Sequence, residues 1–237
     1  MSHLFNTDLS ETNLMNSRLD QTNLVRIQPI TSELYPAAAQ LMAYGFGHKF
    51  QKSSSISTAD LALVFEQLLL SSPHQAVGVR FAALENDVLI GTMALKWKGH
   101  EIVRKVDTAP IQWWSMRSHT GCWRLLHIMS CIHLLKHEPE AGECYIEDIV
   151  VHPHRQGKGV GRQLLARAQQ YMLQTKQLTY LSLHVARQNQ KAMQMYERYH
   201  FRKQNSTNSL LTALLLGEHQ WNYMTRKGDN NIETAYV

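Results

Sequence analysis

Hydrophobic and polar positions change period several times along this chain, and each change predicts an element. Residues 25–30 read as a first strand. Thr31 or Ser32 can cap a helix whose apolar face is Tyr35, Ala38, Ala39, Leu41 and Met42, and Gly45 and Gly47 predict its end. Residues 52–57 are a serine-rich loop. Thr58 then caps a second helix with Leu61, Val64, Phe65 and Leu68 at helical spacing, and Pro73 lies beyond its end. Residues 79–84 and 88–98 predict a hairpin around Glu85-Asn86-Asp87, with Gly91 to Leu95 as the apolar heart of its second strand.

Residues 99–143 form a long connection holding Trp113, Trp114 and Trp123, with an apolar helix over 123–135. A connection of this length serves as a lid, a substrate wall or an oligomer surface, or simply covers the core. A β-branched strand, a glycine-rich basic turn and a helix from Gln163 follow. Residues 180–186 are a second apolar strand, and Asn189 opens another helix. Residues 210–216 fit a helix or a strand, 221–225 fit a final strand, and the chain from Gly228 onward is polar. The organisation is a leader over 1–23, one domain over 24–227 and a fraying tail over 228–237. In the leader, Leu4, Leu9, Leu14, Leu19 and Leu24 recur every five residues, a pattern that resembles pentapeptide-repeat proteins. A single coil of such repeats has no neighbour to bury its leucines. The leader is therefore either a polar, partly disordered segment or a remnant coil that docks on the domain or on a second copy, which keeps a homodimer open.

The 237 residues suit one large or two small domains, and 44% hydrophobic content supports a sizeable core. Net charge is +5 with a pI near 9.1. The Lys and Arg residues are scattered without a basic run, which argues against a nucleic-acid partner and leaves a small anion as the better fit. Cys122, Cys131 and Cys144 form no Cys-x-x-Cys pair and read as reduced thiols. The N-terminus lacks the features of a signal peptide, and the longest apolar stretches are too short to span a bilayer. A cytoplasmic protein without membrane contact is expected. His152-Pro-His154 lacks a third ligand at sensible spacing, and His133 and His137 lack partners, so no metal is expected.

Candidate chemistry concentrates in residues 145–162. A strand running into a glycine-rich turn that opens a helix presents unpaired N–H groups, with the helix dipole behind them, to an anionic phosphate. Gly157, Gly159 and Gly161 do not fit the Walker loop, which needs Gly-Lys-Ser/Thr after four spacers, nor the Gly-x-Gly-x-x-Gly dinucleotide fingerprint. What remains is Gln156-x-x-Gly159-x-Gly161, led by Val150, Val151 and Arg155. Downstream, Asn189, Ala192, Tyr196 and Phe201 follow an apolar strand at fixed spacing.

Together these residues resemble the GNAT superfamily of N-acetyltransferases, and the resemblance extends over about residues 24–227. His200 departs from the pattern, which has glycine there, and this concerns the end of the helix rather than the chemistry. The resemblance implies an α/β fold with a mixed, mostly antiparallel central sheet flanked by helices, here with a helical insertion between strands three and four. It implies acetyl-CoA as co-substrate. Gln156, Gly157, Lys158, Gly159, Val160, Gly161 and Arg162 would cradle the pyrophosphate. Ile149, Val150 and Val151 would pair with the pantetheine arm in a slot splayed between strands four and five, with an N–H near Val150 facing the thioester carbonyl. Tyr196 takes the place of the general acid, and Asn189 bonds the pantetheine arm, the helix start, or both.

Acetyl transfer to an amine also needs a base. Glu147 and Asp148 are adjacent on a strand, so regular alternation sends them to opposite faces of the sheet and only one lines a given cleft. The run Ile-Glu-Asp-Ile-Val-Val is similar to glucosamine-phosphate N-acetyltransferases. On that match Glu147 is the first candidate, acting through a bridging water, and Asp148 the second; a structural pair of carboxylates is the alternative. Cys144 has no His partner, so a thiol nucleophile is not expected and transfer would be direct, in a ternary complex. The acceptor would be an amine of a small molecule or peptide. A non-catalytic acyl-CoA-binding or sensor module, and an interaction protein built around the leader, are the competing readings.

Overall fold

The computed structural model describes residues 25–54, 56–71, 78–99 and 121–228. The leader with its leucine period, most of the connection before Gly121 and the tail beyond Gly228 lie outside the described residues. The described residues form seven strands: β1 (Arg26–Pro29), β2 (Gly78–Glu85), β3 (Val88–Trp97), β4 (Glu143–Val151), β5 (Tyr180–Ala186), β6 (Arg202–Asn208) and β7 (Gln220–Lys227). They also form six α-helices: α1 (Tyr35–Ser54), α2 (Thr58–Ser71), α3 (Cys122–Leu134), α4 (Val160–Gln174), α5 (Gln190–Arg198) and α6 (Leu210–Leu216). All strands join one sheet in the order β1-β2-β3-β4-β5-β7-β6. Only the central β4–β5 pair is parallel; the others are antiparallel.

Both faces of the sheet are covered, so the central strands read as nearly continuous apolar runs. On one face Phe81, Met93, Leu95, Ile146, Leu181 and Leu183 pack with Leu164 and Leu165 of α4. On the other, α1, α2, α3 and α6 build a second core that includes Leu61, Val64, Ile128, Val150 and Leu216. The β2–β3 hairpin turns where expected, with φ of 50° at Asn86 and 60° at Asp87, as a two-residue hairpin turn requires.

Several elements differ from the sequence pattern. α1 does not end at Gly45 or Gly47 but runs on to Ser54. Gly45 is there for contact: a methyl group on it would stand 2.6 Å from Val150 Cγ1. The glycine lets the helix lie against β4, and this overrides its low helix propensity. The start of α1 is a 3₁₀ turn over Ser32–Leu34, and Thr31 makes no side-chain capping bond. In α2 the cap is Ser57 rather than Thr58, since Ser57 Oγ accepts from the Asp60 N–H at 3.0 Å. Residues 210–216 resolve as a helix, with Ser209 Oγ accepting from Thr212 N–H at 3.2 Å and Gly217 ending it at φ 69°. β6 went unpredicted because its residues are polar and mostly exposed, as suits an edge strand that pairs only with β7.

Candidate active site

β4 and β5 are hydrogen-bonded only from the Glu143↔Tyr180 pair to the Ile146↔Leu183 pair. Beyond that point β4 continues to Val151 beside β3, and β5 continues to Ala186 beside β7. The two strands therefore part, and among the described residues no ladder bond joins their facing edges beyond that pair, so the backbone groups there need other partners when water is excluded. His152 donates its N–H to the Ile90 carbonyl at 2.8 Å. Strand alternation then directs the backbone groups of Val150 toward β3 and those of Ile149 and Val151 into the slot. The backbone groups of Val150 itself therefore face away from the slot, while its side chain packs beneath α1. The Val151 carbonyl is already engaged by Gln156 Nε2 at 3.1 Å.

The slot leads to the glycine turn. Gly157 and Gly159 have φ of 77° and 83°, and among the described residues nothing lies within 4 Å of where their side chains would project. The left-handed backbone explains the glycines, and the open space leaves room for a ligand. α4 starts at Val160, three residues earlier than the pattern predicted, and no side chain caps it. The N–H groups of Val160, Gly161 and Arg162 in its first turn have no intrahelical acceptor and carry the positive end of the helix dipole. Lys158 and Arg162 are exposed beside them. Gly161 also faces α5, where a methyl group would stand 3.2 Å from Met195 Sδ. Arg155 points away: its guanidinium binds Glu85 at 2.6 and 2.5 Å, tying the turn to the β2–β3 hairpin.

The carboxylates do not obey simple alternation. Ala94 pairs with Asp148 and Leu95 with Ile146, so Glu147 is an extra residue in β4. This bulge puts Tyr145 and Asp148, three residues apart, on one face, and it ends the expectation that Glu147 and Asp148 must diverge. Asp148 is held by both Arg80 terminal nitrogens, at 2.7 and 2.5 Å. Arg80 is buried and also reaches Thr92 Oγ1 at 3.3 Å. Glu147 remains open to solvent and makes no hydrogen bond among the described residues. It nevertheless sits in a recess. Surrounding protein raises its carboxyl above the ordinary range, and the neighbouring Asp148 charge adds to this against Arg80 and Lys96.

Tyr196 projects from α5 with its ring buried against Phe201, at a centroid distance of 5.8 Å. Tyr196 is buried, and its hydroxyl makes no hydrogen bond among the described residues. Burial raises the phenol above its usual range, so it stays protonated at neutral pH. Asn189 caps α5, its Oδ1 accepting from Ala192 N–H at 3.2 Å. At the far end of α5, His200 occupies the glycine position with φ 61°.

The sequence pattern missed a second group on the Glu147 face. Glu143, at the start of β4, is fully buried and bonds His137 Nε2 at 2.9 Å, Tyr223 OH at 2.9 Å, the Glu140 N–H at 2.7 Å and the Ser182 hydroxyl. Tyr145 OH lies 3.2 Å from His184 Nδ1. These residues come from four segments, and no local spacing announces them. Among the described residues no group of His, Cys, Asp and Glu could hold a metal ion. No described helix is long and apolar enough to cross a membrane.

Comparison with known proteins decides the family. Residues 47–201 match the model of the acetyltransferase (GNAT) family. The chain belongs to this GNAT family. It is accordingly an acyltransferase with the mixed, largely antiparallel sheet of that fold. Solved structures agree on the fold. NAA60 from Arabidopsis thaliana, solved with a bisubstrate analogue, superposes with a TM-score of 0.55 at 16% identity, covering 86% of this chain and 98% of that one. The N-acetyltransferase PaiA from Thermoplasma acidophilum, solved with coenzyme A, gives 0.52 at 13% identity over 86% and 99% of the two chains. Spermidine N-acetyltransferase SpeG from Vibrio cholerae, in a mutant form, gives 0.52 at 17% identity over 86% and 94%. No curated protein matches this GNAT chain in sequence.

Proposed function

We propose that the protein transfers acetyl from acetyl-CoA directly to a primary amine within a ternary complex. The observation that carries this reading is the parting of β4 and β5 at Ile146↔Leu183. It opens an unpaired strand edge that leads to an uncapped helix start, with a free carboxylate and a free phenol left for chemistry. Pyrophosphate would lie on the N–H groups of Gly157 to Arg162, and the pantetheine arm would pair with Ile149 and Val151. Backbone N–H groups in the slot would polarise the thioester carbonyl and hold the oxyanion as the amine adds. Glu147, directly or through a water, would take the proton the attacking ammonium loses. Tyr196 would protonate the departing thiolate. Asp148 is the weaker candidate base, because its charge is already neutralised by Arg80.

Two facts support direct transfer rather than an acyl-enzyme. Cys144 lies in the core on the far face of β4, where burial pushes its thiol up to about 12. Cys131 is likewise buried, and its thiol is raised to about 11. Neither is a thiolate at neutral pH. Initial velocities measured at several concentrations of both substrates test the point. Intersecting double-reciprocal lines, with no acetylated protein by intact mass spectrometry, support the ternary complex. Parallel lines with an acetylated protein contradict it.

A further inference from the structure

The polar group around Glu143 borders a cleft that the transfer chemistry leaves unassigned. The ring of His137 lies 4.3 Å from that of Tyr145, 5.2 Å from His184 and 6.0 Å from Tyr223, and His184 lies 5.0 Å from Tyr223. Strand register explains the gathering: Tyr145 pairs with Ser182, and two residues on His184 pairs with Tyr223, all on the face that carries Asp148. His137, Tyr180, His184 and Tyr223 line an open cleft of about 770 Å³ together with Asn205 and Thr207 of β6. Its His184 end adjoins the point where β4 and β5 part.

One buried carboxylate, Glu143, stands behind this wall with His137 bonded to it. Burial opposes ionisation of Glu143, but hydrogen bonds from His137, Ser182, the Glu140 N–H and Tyr223 prevail and bring its carboxyl down to about 2. Burial first, and His137 second, bring His184 down to about 4, so it is neutral at physiological pH. Burial also raises the phenols of Tyr145 and Tyr223, which stay protonated. Glu140 and Lys227, the remaining charged residues on the lining, are of opposite sign. Aromatic faces over a fixed carboxylate attract cations.

On the basis of the transfer reading above, we propose that this aromatic cleft anchors a second positive charge of the acceptor, making the substrate class a slender linear diamine or longer oligoamine. One nitrogen would react at the level of Glu147 and another would rest among the rings. Two to four residues of β4 separate those levels, roughly 7–13 Å at the rise of a strand. A neutral or anionic body of equal length would gain nothing from the ring faces.

The test uses the full-length protein and three probes of similar length: hexamethonium, which cannot be acetylated, the neutral hexanediol and the anionic adipate. Calorimetry should show hexamethonium binding about tenfold or more tightly than the other two, and it should compete with amine acceptors. Tyr223→Leu should weaken hexamethonium about tenfold while acetyl-CoA still raises the melting temperature. Tyr223→Phe keeps the ring and should retain most of the affinity, which separates loss of the cation site from loss of the fold. Hexamethonium binding no better than hexanediol, tighter binding of adipate, or equal affinity in Tyr223→Leu would each overturn the proposal. If hexamethonium binds but acetyl-CoA does not, the transfer reading fails and the cation site stands. If acetyl-CoA binds and hexamethonium does not, only this inference fails.

Discussion

Arg80 takes both carboxylate oxygens of Asp148, at 2.7 and 2.5 Å, and in doing so sets Glu147 apart from its neighbour. Two adjacent carboxylates on one strand thus acquire different roles. Asp148 is neutralised by a buried guanidinium. Glu147 is left exposed, without a hydrogen bond among the described residues and harder to ionise than an ordinary glutamate. Substitutions should separate them. Glu147→Gln should fold normally and lose about 10²-fold or more in kcat. Asp148→Asn should lower stability by about 3 kcal/mol, because it leaves the buried Arg80 charge uncompensated. Thermal melts and steady-state rates on both variants check this, and an inverted pattern would reassign the base.

The pH profile follows from the same asymmetry. A base must be deprotonated, and the Glu147 carboxyl is raised above its usual range by burial and by Asp148. The acid limb of kcat/KM should therefore fall above the ordinary carboxylate region and move in Asp148→Asn. A limb unaffected by that substitution would uncouple the two groups.

Stability should decline in acid in two windows. His184 is lowered from 6.5 to about 4, so the unfolded chain binds the extra proton, and the stability it contributes is lost as pH falls from about 6.5 to 4. Glu143 is lowered from 4.5 to about 2, so its contribution, of order 3 kcal/mol, is present above pH 4.5 and lost as pH falls toward 2. Urea titrations across this range should show both. His184→Gln should flatten the upper window and Glu143→Gln the lower.

Arg155 ties the glycine turn, the proposed pyrophosphate cradle, to Glu85. Breaking this half-exposed pair with Glu85→Gln should loosen the glycine turn and raise the KM for acetyl-CoA a few-fold, on the order of 1 kcal/mol, with kcat nearly unchanged. A fall in kcat at constant KM would place Arg155 elsewhere in the mechanism.

His200 holds a left-handed backbone at φ 61°. His200→Gly removes a steric cost of about 1 kcal/mol and should raise the melting temperature by about 2–4 °C without changing rates.

Part of the geometry of the candidate site was legible along the chain, for definite reasons. The glycine turn, Asn189 and Tyr196 are local features, each fixed by neighbours a few residues away. So was the departure at His200. The bulge was not legible, because an extra residue in a strand is defined by its partner: only the shift between Ala94 and Leu95 on β3 reveals that Glu147 is surplus. Nor was the commitment of Asp148, whose partner Arg80 lies 68 residues away. Within the Glu143 group, Glu143 bonds Tyr223 80 positions away. Gly45 misled because a glycine placed for close contact looks the same in sequence as one that ends a helix. β6 was hidden because an edge strand exposed on both sides has no hydrophobic alternation to read.

In the proposed mechanism the parted strands and the uncapped helix hold acetyl-CoA while Tyr196 supplies the proton for the leaving thiolate. Thiol release from acetyl-CoA, followed across a panel of amines, peptides, polyamines and aminoglycosides in wild-type protein and Tyr196→Phe, checks both parts at once. Release with at least one acceptor, an acetyl-CoA-induced rise in melting temperature in both proteins, and turnover about 10²-fold slower in the variant are expected. Equal rates in the two proteins, or no release with any acceptor and no rise in melting temperature, would contradict it.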